Sequence, residues 1–135
     1  MNANQALGHY GEKVAVRYLG GIGMWIVERN WRCPEGEIDI VANDPGQRPG
    51  SPGTLVICEV KARSARAFQQ PTEAIPPPKA RRLRLLAERW LHERAPVLLR
   101  PAHAEPPPLD IRIDLLAVVL PRRGACTVEH LKGVA

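Results

Sequence analysis

Hydrophobic positions recur along this chain at two different periods. Leu83, Leu86, Ala87, Trp90 and Leu91 fall at i, i+3, i+4, i+7 and i+8, one buried stripe of a helix running from about Lys79 to Arg94. Arg81, Arg82, Arg84 and Arg89 lie on its other faces. Leu7, Tyr10, Val14 and Tyr18 form a second stripe, with Ala15 and Leu19 beside it, and predict a helix over 3–19. Asn2 or Asn4 can cap its start and Gly20-Gly21 can end it. Glu12 falls on the shoulder of that apolar face, near Val16 and Leu19. Segments 24–29, 37–42 and 55–61 read as strands. Segment 110–120 begins with alternation and becomes fully apolar, as a strand entering a core does, and 126–131 reads as a short edge strand. The order α-β-β-β-α-β-β predicts an α/β fold, a mixed central sheet flanked by helices. No repeat and no dividing linker is visible, so residues 1–135 are expected to form one domain.

Proline and glycine punctuate the rest. Residues 43–53 hold Pro45, Pro49, Pro52, Gly46, Gly50 and Gly53 and read as a mobile loop joining two strands of an extended hairpin. Residues 62–78 are irregular and end in Pro76-Pro77-Pro78, and Pro101 to Pro108 form another proline-rich loop.

Charge inside two of the apolar segments changes the picture. Gly36-Glu37-Ile38-Asp39-Ile40-Val41 is followed, after about twenty residues, by Leu55-Val56-Ile57-Cys58-Glu59-Val60-Lys61. The second segment is apolar on both faces until Glu59 and Lys61 interrupt it, which reads as a strand buried on both sides. Burying a carboxylate or an ammonium is costly unless each finds a partner or a metal. Residues two apart on a strand share a face, so Glu59 projects with Lys61 and Glu37 with Asp39. An acid followed by E-x-K, each on a strand, is the arrangement of a metal-dependent phosphodiesterase site. Mg²⁺ prefers oxygen and typically takes one or two carboxylates plus waters and substrate phosphate. Asp39 and Glu59 could supply the carboxylates, the Val60 carbonyl a further ligand, and Lys61 a cation for the attacking water or the developing charge. Glu12 could reach the same place from the first helix.

Blander readings stand beside these. Glu59 and Lys61 would be an exposed pair if the strand end left the core. Glu37 reads as a solvent residue or hydrogen-bond partner, since Asp39 lies deeper in the apolar segment. Glu12 alone reads as a salt-bridging helix residue. Asp114 could pair with Arg112 or a loop, or support the site from behind. The four histidines, His9, His92, His103 and His130, show no metal spacing, and neither do Cys33, Cys58 and Cys126. Cys58 reads as a packed thiol.

Net charge is +5, with a pI near 9.6. Between Lys61 and Arg100, ten Lys/Arg face Glu73, Glu88 and Glu93, a local net of +7, so the remainder is slightly acidic. A basic half beside an acidic cluster suits a polyanion that must meet a bound cation. Arg63, Arg66, Lys79, Arg81, Arg82 and Arg84, with Lys61, could track a phosphate backbone. Aromatic residues make up 4% of the chain, which weakens base stacking as the recognition device and favours duplex or branched nucleic acid over single strands. No signal peptide and no apolar run near ~20 residues appears, so a cytoplasmic protein without a membrane partner is expected.

Gly11-Glu12 with Ala15 and Leu19, Glu28-Arg29-Asn30-Trp31-Arg32, Gly36-Glu37-Ile38-Asp39, Glu59-Val60-Lys61-Ala62-Arg63, Lys79 with Arg82-Leu83, and Arg112-Ile113-Asp114-Leu115 fall in one order. Together they resemble the YraN-like family of small bacterial proteins, predicted endonucleases. The resemblance spans roughly residues 7–120. That family is similar to PD-(D/E)xK nucleases of restriction-endonuclease-like fold, and within them to archaeal Holliday-junction resolvases. The resemblance implies this fold, a role for Glu12, Asp39, Glu59 and Lys61 at the site, Mg²⁺ or Mn²⁺ as cofactor, and DNA ahead of RNA as partner. By analogy with resolvases, which often pair two sites, it also raises a homodimer. The sequence departs from the family pattern at Gln69, in the length of the loop at 43–54 and in the triple proline, leaving the four site residues in place. The alternative expectation is a nucleic-acid-binding module of the same fold that is inactive alone or needs a partner, because a 135-residue chain has little room for its own specificity elements.

Overall fold

The computed structural model describes residues 2–45, 53–64, 75–98 and 110–135. Helix α1 spans Ala3–Gly21, strand β1 Trp25–Cys33, β2 Gly36–Asp44 and β3 Thr54–Ser64. Helix α2 spans Pro77–Glu93, the short α3 Ala95–Leu98, β4 Asp110–Leu120 and β5 Thr127–Leu131. The expected element order holds, and α3 is an addition to it. The strands run further than hydrophobicity alone marked, because β1 and β2 continue into polar residues that the ladder still pairs, such as Arg32↔Glu37.

The five strands lie in the order β1-β2-β3-β4-β5. Only β3 and β4 run parallel; the other neighbours are antiparallel. The sheet is therefore mixed, with helices on both faces, and the fold is restriction-endonuclease-like α/β. On one face α2 packs Leu83, Leu86, Ala87 and Trp90 against Ile38, Val41, Leu55, Ile57, Ile113 and Leu115. On the other, α1 packs Ala15 and Leu19 against Ile40, Ala42, Val56, Cys58, Leu116 and Val118. Cys58 is a packed thiol, as its place in the apolar run implied. Among the described residues no helix is long and apolar enough to cross a membrane.

The α1 stripe differs from the one read off the large residues. Tyr10 is half exposed, while Gly11, Ala15 and Leu19 are buried. These three sit at i, i+4 and i+8, one ridge on the helix. The reason is distance: a Cβ placed on Gly11 would lie 2.5 Å from the Ala62 Cβ of β3. Small residues on both sides let α1 sit close to β3, and this carries the neighbouring Glu12 to the sheet. Gly11→Ala is expected to cost about 1–3 kcal/mol through overpacking. A thermal melt checks it, and an unchanged melting temperature would mean that α1 does not rest on Ala62. The helix start is closed by a capping box: Asn2 Oδ1 accepts from the Gln5 N–H at 2.8 Å, and the Asn2 N–H donates to Gln5 Oε1 at 3.0 Å.

Two polar clusters pin the helices to the sheet. Trp90 Nε1 donates to Glu28 Oε1 at 3.0 Å, and Arg94 grips both Glu28 oxygens, at 3.1 and 2.7 Å. The Arg94 hydrogen bonds hold the Glu28 carboxyl below its usual range although burial opposes them. Asp114 is fully buried on β4 and does pair with Arg112, at 2.8 and 3.0 Å. It also meets His130 Nε2 at 2.7 Å and accepts from the Gly133 N–H at 3.0 Å. His130 Nδ1 reaches Tyr18 of α1 at 3.2 Å, and Arg112 reaches Asp44 of β2 at 3.2 Å. Burial pushes the Asp114 carboxyl up, but these hydrogen bonds outweigh it and hold the group below the ordinary range. The cluster ties α1, β2, β4 and β5 together, and among the described residues no buried side-chain polar atom lacks a partner.

Candidate functional site

The sheet opens at one place. Pairing of β2 with β3 runs from Asp44↔Thr54 to Ile40↔Cys58. The next residues on the two strands are Asp39 and Glu59. From there β2 continues alongside β1, as far as Gly36 opposite Cys33, and β3 alongside β4, as far as Ser64 opposite Leu120. A fork of this kind strands backbone groups that a ladder would have satisfied. The Asp39 carboxylate takes over part of that work, with Oδ2 accepting from the Val60 N–H at 2.8 Å. That hydrogen bond fixes the Asp39 carboxylate at the mouth of the fork.

Three acids converge at the fork. Glu12 from α1 and Glu37 and Asp39 from β2 each place a carboxylate oxygen within 4.8 Å of the other two. Asp39 is 9% exposed. Burial, the neighbouring Glu59 charge, and the charges of Glu12 and Glu37 push its carboxyl up to about 7, against the pull of the Val60 N–H. Glu12 is raised as well, by burial and then by Glu37, while Arg29, His9 and a hydrogen bond from Asn30 oppose the shift. Beyond burial, the mutual repulsion of these acids raises both Asp39 and Glu12, and a hard cation bound among them would relieve it. The donors are all carboxylate oxygens, which fit Mg²⁺ or Mn²⁺ and suit softer, sulfur-seeking metals poorly.

Glu59 sits beside this group and is engaged elsewhere. Its Oε1 lies 2.6 Å from the Nζ of Lys79 in the first turn of α2. Leu55 and Ile57 face the α2 core, so strand alternation puts Glu59 and Lys61 on that same side, where Lys61 is half-buried. Val60 enters through its N–H. Of the residues expected to contact phosphate, Arg81, Arg82 and Arg84 are exposed on α2. Arg82 passes over the Gly36 turn, where an added Cβ would meet it at 3.7 Å. Arg63 is exposed at the end of β3, with Nη1 donating to the Ala62 carbonyl at 2.9 Å. Arg66 lies outside the described residues.

Two participants were not singled out from the sequence. Glu37 reads from the sequence as a solvent residue or hydrogen-bond partner; it does meet Arg32 at 2.9 Å, and it also belongs to the acid cluster. The signal was present in the two-residue spacing of Glu37 and Asp39. Asn30 is the other. It stands between Arg29, opposite Ile40, and Trp31, opposite Ile38, and so lies across from Asp39. Its φ of 53° is the one positive value at a non-glycine among the described residues. Asn tolerates this left-handed conformation better than most residues. The turn of the backbone delivers its side chain to Glu12.

A restriction-endonuclease-like sheet that forks beside a cluster of acids, with E-x-K on its central strand, defines the structural class. The chain belongs to the uncharacterised protein family UPF0102, whose family model matches residues 11–118. A UPF0102 protein of Streptomyces coelicolor is 51% identical over 136 residues, covering all of this chain and 92% of the relative. One from Streptomyces griseus subsp. griseus is 50% identical with full coverage of both. Another, from Beutenbergia cavernae, is 50% identical over 99% of each chain. This is the family that the motifs of the sequence resemble.

Proposed function

We propose that this protein is a metal-dependent endonuclease that hydrolyses phosphodiester bonds in DNA, with branched or structured DNA as its preferred substrate. The observation that carries this reading is Asp39: a carboxyl buried at the fork, raised to about 7 among Glu12, Glu37 and Glu59, yet hydrogen-bonded in place. A buried acid kept in such company destabilises the protein alone and gains its purpose when a divalent cation arrives. Bound Mg²⁺ or Mn²⁺ would polarise the scissile phosphate and neutralise charge as the bond breaks. Asp39, Glu12 and Glu37 would hold the ion, with Glu59 completing the set. Lys61, two residues along β3 from Glu59, would face the phosphate and orient the attacking water or stabilise the developing charge. Asn30 would position Glu12. The exposed Arg81, Arg82 and Arg84 would carry the flanking backbone, supplying affinity without sequence preference.

The test is cleavage by the purified protein of a four-way junction, the matching linear duplex and the single strand, with Mg²⁺ or Mn²⁺. Glu59→Ala and Lys61→Ala serve as controls. Metal-dependent cutting, lost in both folded variants, is the expected outcome. A folded Lys61→Ala protein with full activity would remove Lys61 from the reaction. Tight metal and DNA binding with no cutting on any substrate would replace the nuclease with a binding module that needs a partner.

A further inference from the structure

Lys79 is an odd choice for its position. It is the third residue of α2, after Pro77 and Pro78 at the first two helical positions and Pro76 at the cap. The first turn of a helix presents unsatisfied N–H groups and the positive end of the macrodipole, so a cation there is disfavoured and an acid would be preferred. No acid occupies that turn, and no side chain caps it. The prolines fix the direction from which the chain enters the helix. What the lysine reaches in exchange is Glu59, with the ammonium 2.6 Å from Oε1. Glu59 is mostly buried and Lys79 only partly so, at 17% and 38% side-chain exposure. One end of the pair therefore belongs to the fork and the other opens to solvent.

Resting on the nuclease reading, we propose that Lys79 is the internal counter-ion of the site. It holds Glu59 until a divalent cation takes the carboxylates, and the released ammonium then meets a phosphate of the bound nucleic acid. In the empty site the ammonium sits on the acid whose charge bears most on Asp39. An arriving dication lies close to Lys79, and two positive centres that share one carboxylate repel. Release is favourable because the long, flexible lysine stem can follow its charge into solvent, where the phosphate lies. Cation and substrate are then coupled: whatever draws Lys79 away from Glu59 strengthens the hold on the metal, and metal binding frees Lys79 for phosphate. A residue that only tracked the phosphate backbone would show no such coupling.

The test uses the full chain and two titrations. Mn²⁺ binding is measured by calorimetry for the wild type, Lys79→Met, Lys79→Gln and Arg84→Met, the last removing an exposed charge of the same helix. Binding of a fluorescent DNA duplex is measured with Ca²⁺ present. Lys79→Met and Lys79→Gln are expected to bind Mn²⁺ roughly 3- to 30-fold more tightly than the wild type, with Arg84→Met close to it. The same Lys79 variants are expected to bind the duplex several-fold more weakly. Either Lys79 variant serves alone if the other fails to fold. Unchanged or weaker Mn²⁺ binding in the folded variants would overturn the counter-ion role and leave the nuclease reading standing. An equal gain in Arg84→Met would also overturn it, since net charge alone would then account for the effect. No Mn²⁺ binding by any of the four proteins would remove the metal site, and this role with it.

Discussion

Asp39→Asn is expected to make the protein more stable above pH 7, by on the order of 2–4 kcal/mol in the presence of a chelator. The Asp39 carboxyl rises from its ordinary 3.8 to about 7 because burial and then Glu59 disfavour its charge. Between those two values the folded protein holds a proton that the unfolded chain has released. Stability from this group is therefore greatest at or below pH 4 and is lost as pH rises through 7. Asn carries no charge to bury, and its side-chain oxygen can still accept from the Val60 N–H. The difference between wild type and variant isolates Asp39 from Glu28 and Asp114. Those two lie below their usual range, so their contribution is present at neutral pH and is lost as the solution becomes acid. Urea unfolding at intervals from pH 4 to pH 8.5 measures the gap. A constant gap across that range would show that Asp39 is not held protonated, and the central physical support for a cation site would fall with it.

Trp90→Ala is expected to cost about 3–5 kcal/mol, a large share of the roughly 5–15 kcal/mol that stabilises a domain of ordinary size. Trp90 is fully buried at the centre of the α2 core, against strands that lead to the fork. Its loss leaves a cavity and also deprives Glu28 of an indole donor, while Arg94 remains. Trp90→Phe keeps most of the packing and loses the N–H with part of the ring, so it should cost less, about 1–2 kcal/mol. The ratio of the two separates cavity from polar contact. A loss under 1 kcal/mol for the alanine variant would mean that α2 is not anchored through this side chain.

Much of the fold was legible because it follows simple periodicity. The α2 stripe, the apolar runs of β3 and β4 and the acids that interrupt them are patterns of hydrophobic spacing, which burial makes visible. What escaped depends on distance and conformation. The α1 ridge of Gly11, Ala15 and Leu19 is carried largely by small residues, which a search for bulky apolar positions passes over. The second half of β1 alternates exposed Asn30 and Arg32 with Trp31 and Cys33, which are only partly buried against the α2 core, so it lacks the continuous apolar run of a strand buried on both faces. The spacing of Glu37 puts it on the face of Asp39, but the parting of β2 and β3 that makes this face a site is not written in that spacing. The turn of Asn30 into left-handed space leaves no mark that its neighbours reveal. The pairing of Lys79 with Glu59 joins residues twenty apart through three-dimensional placement alone.

The shape of β1 has a consequence for life in a crowded cell. As one of the two edge strands of the sheet it offers a row of backbone donors and acceptors, the usual template on which proteins accrete one another into fibrous deposits. Its register with β2 slips between Ile26 and Glu28, and Asn30 twists it again. A rim broken twice within nine residues, with exposed Arg29 and Arg32 along it, is a poor surface for a foreign strand to zip onto. The turn that aims Asn30 at Glu12 thus also leaves this rim a poor template for edge-to-edge pairing.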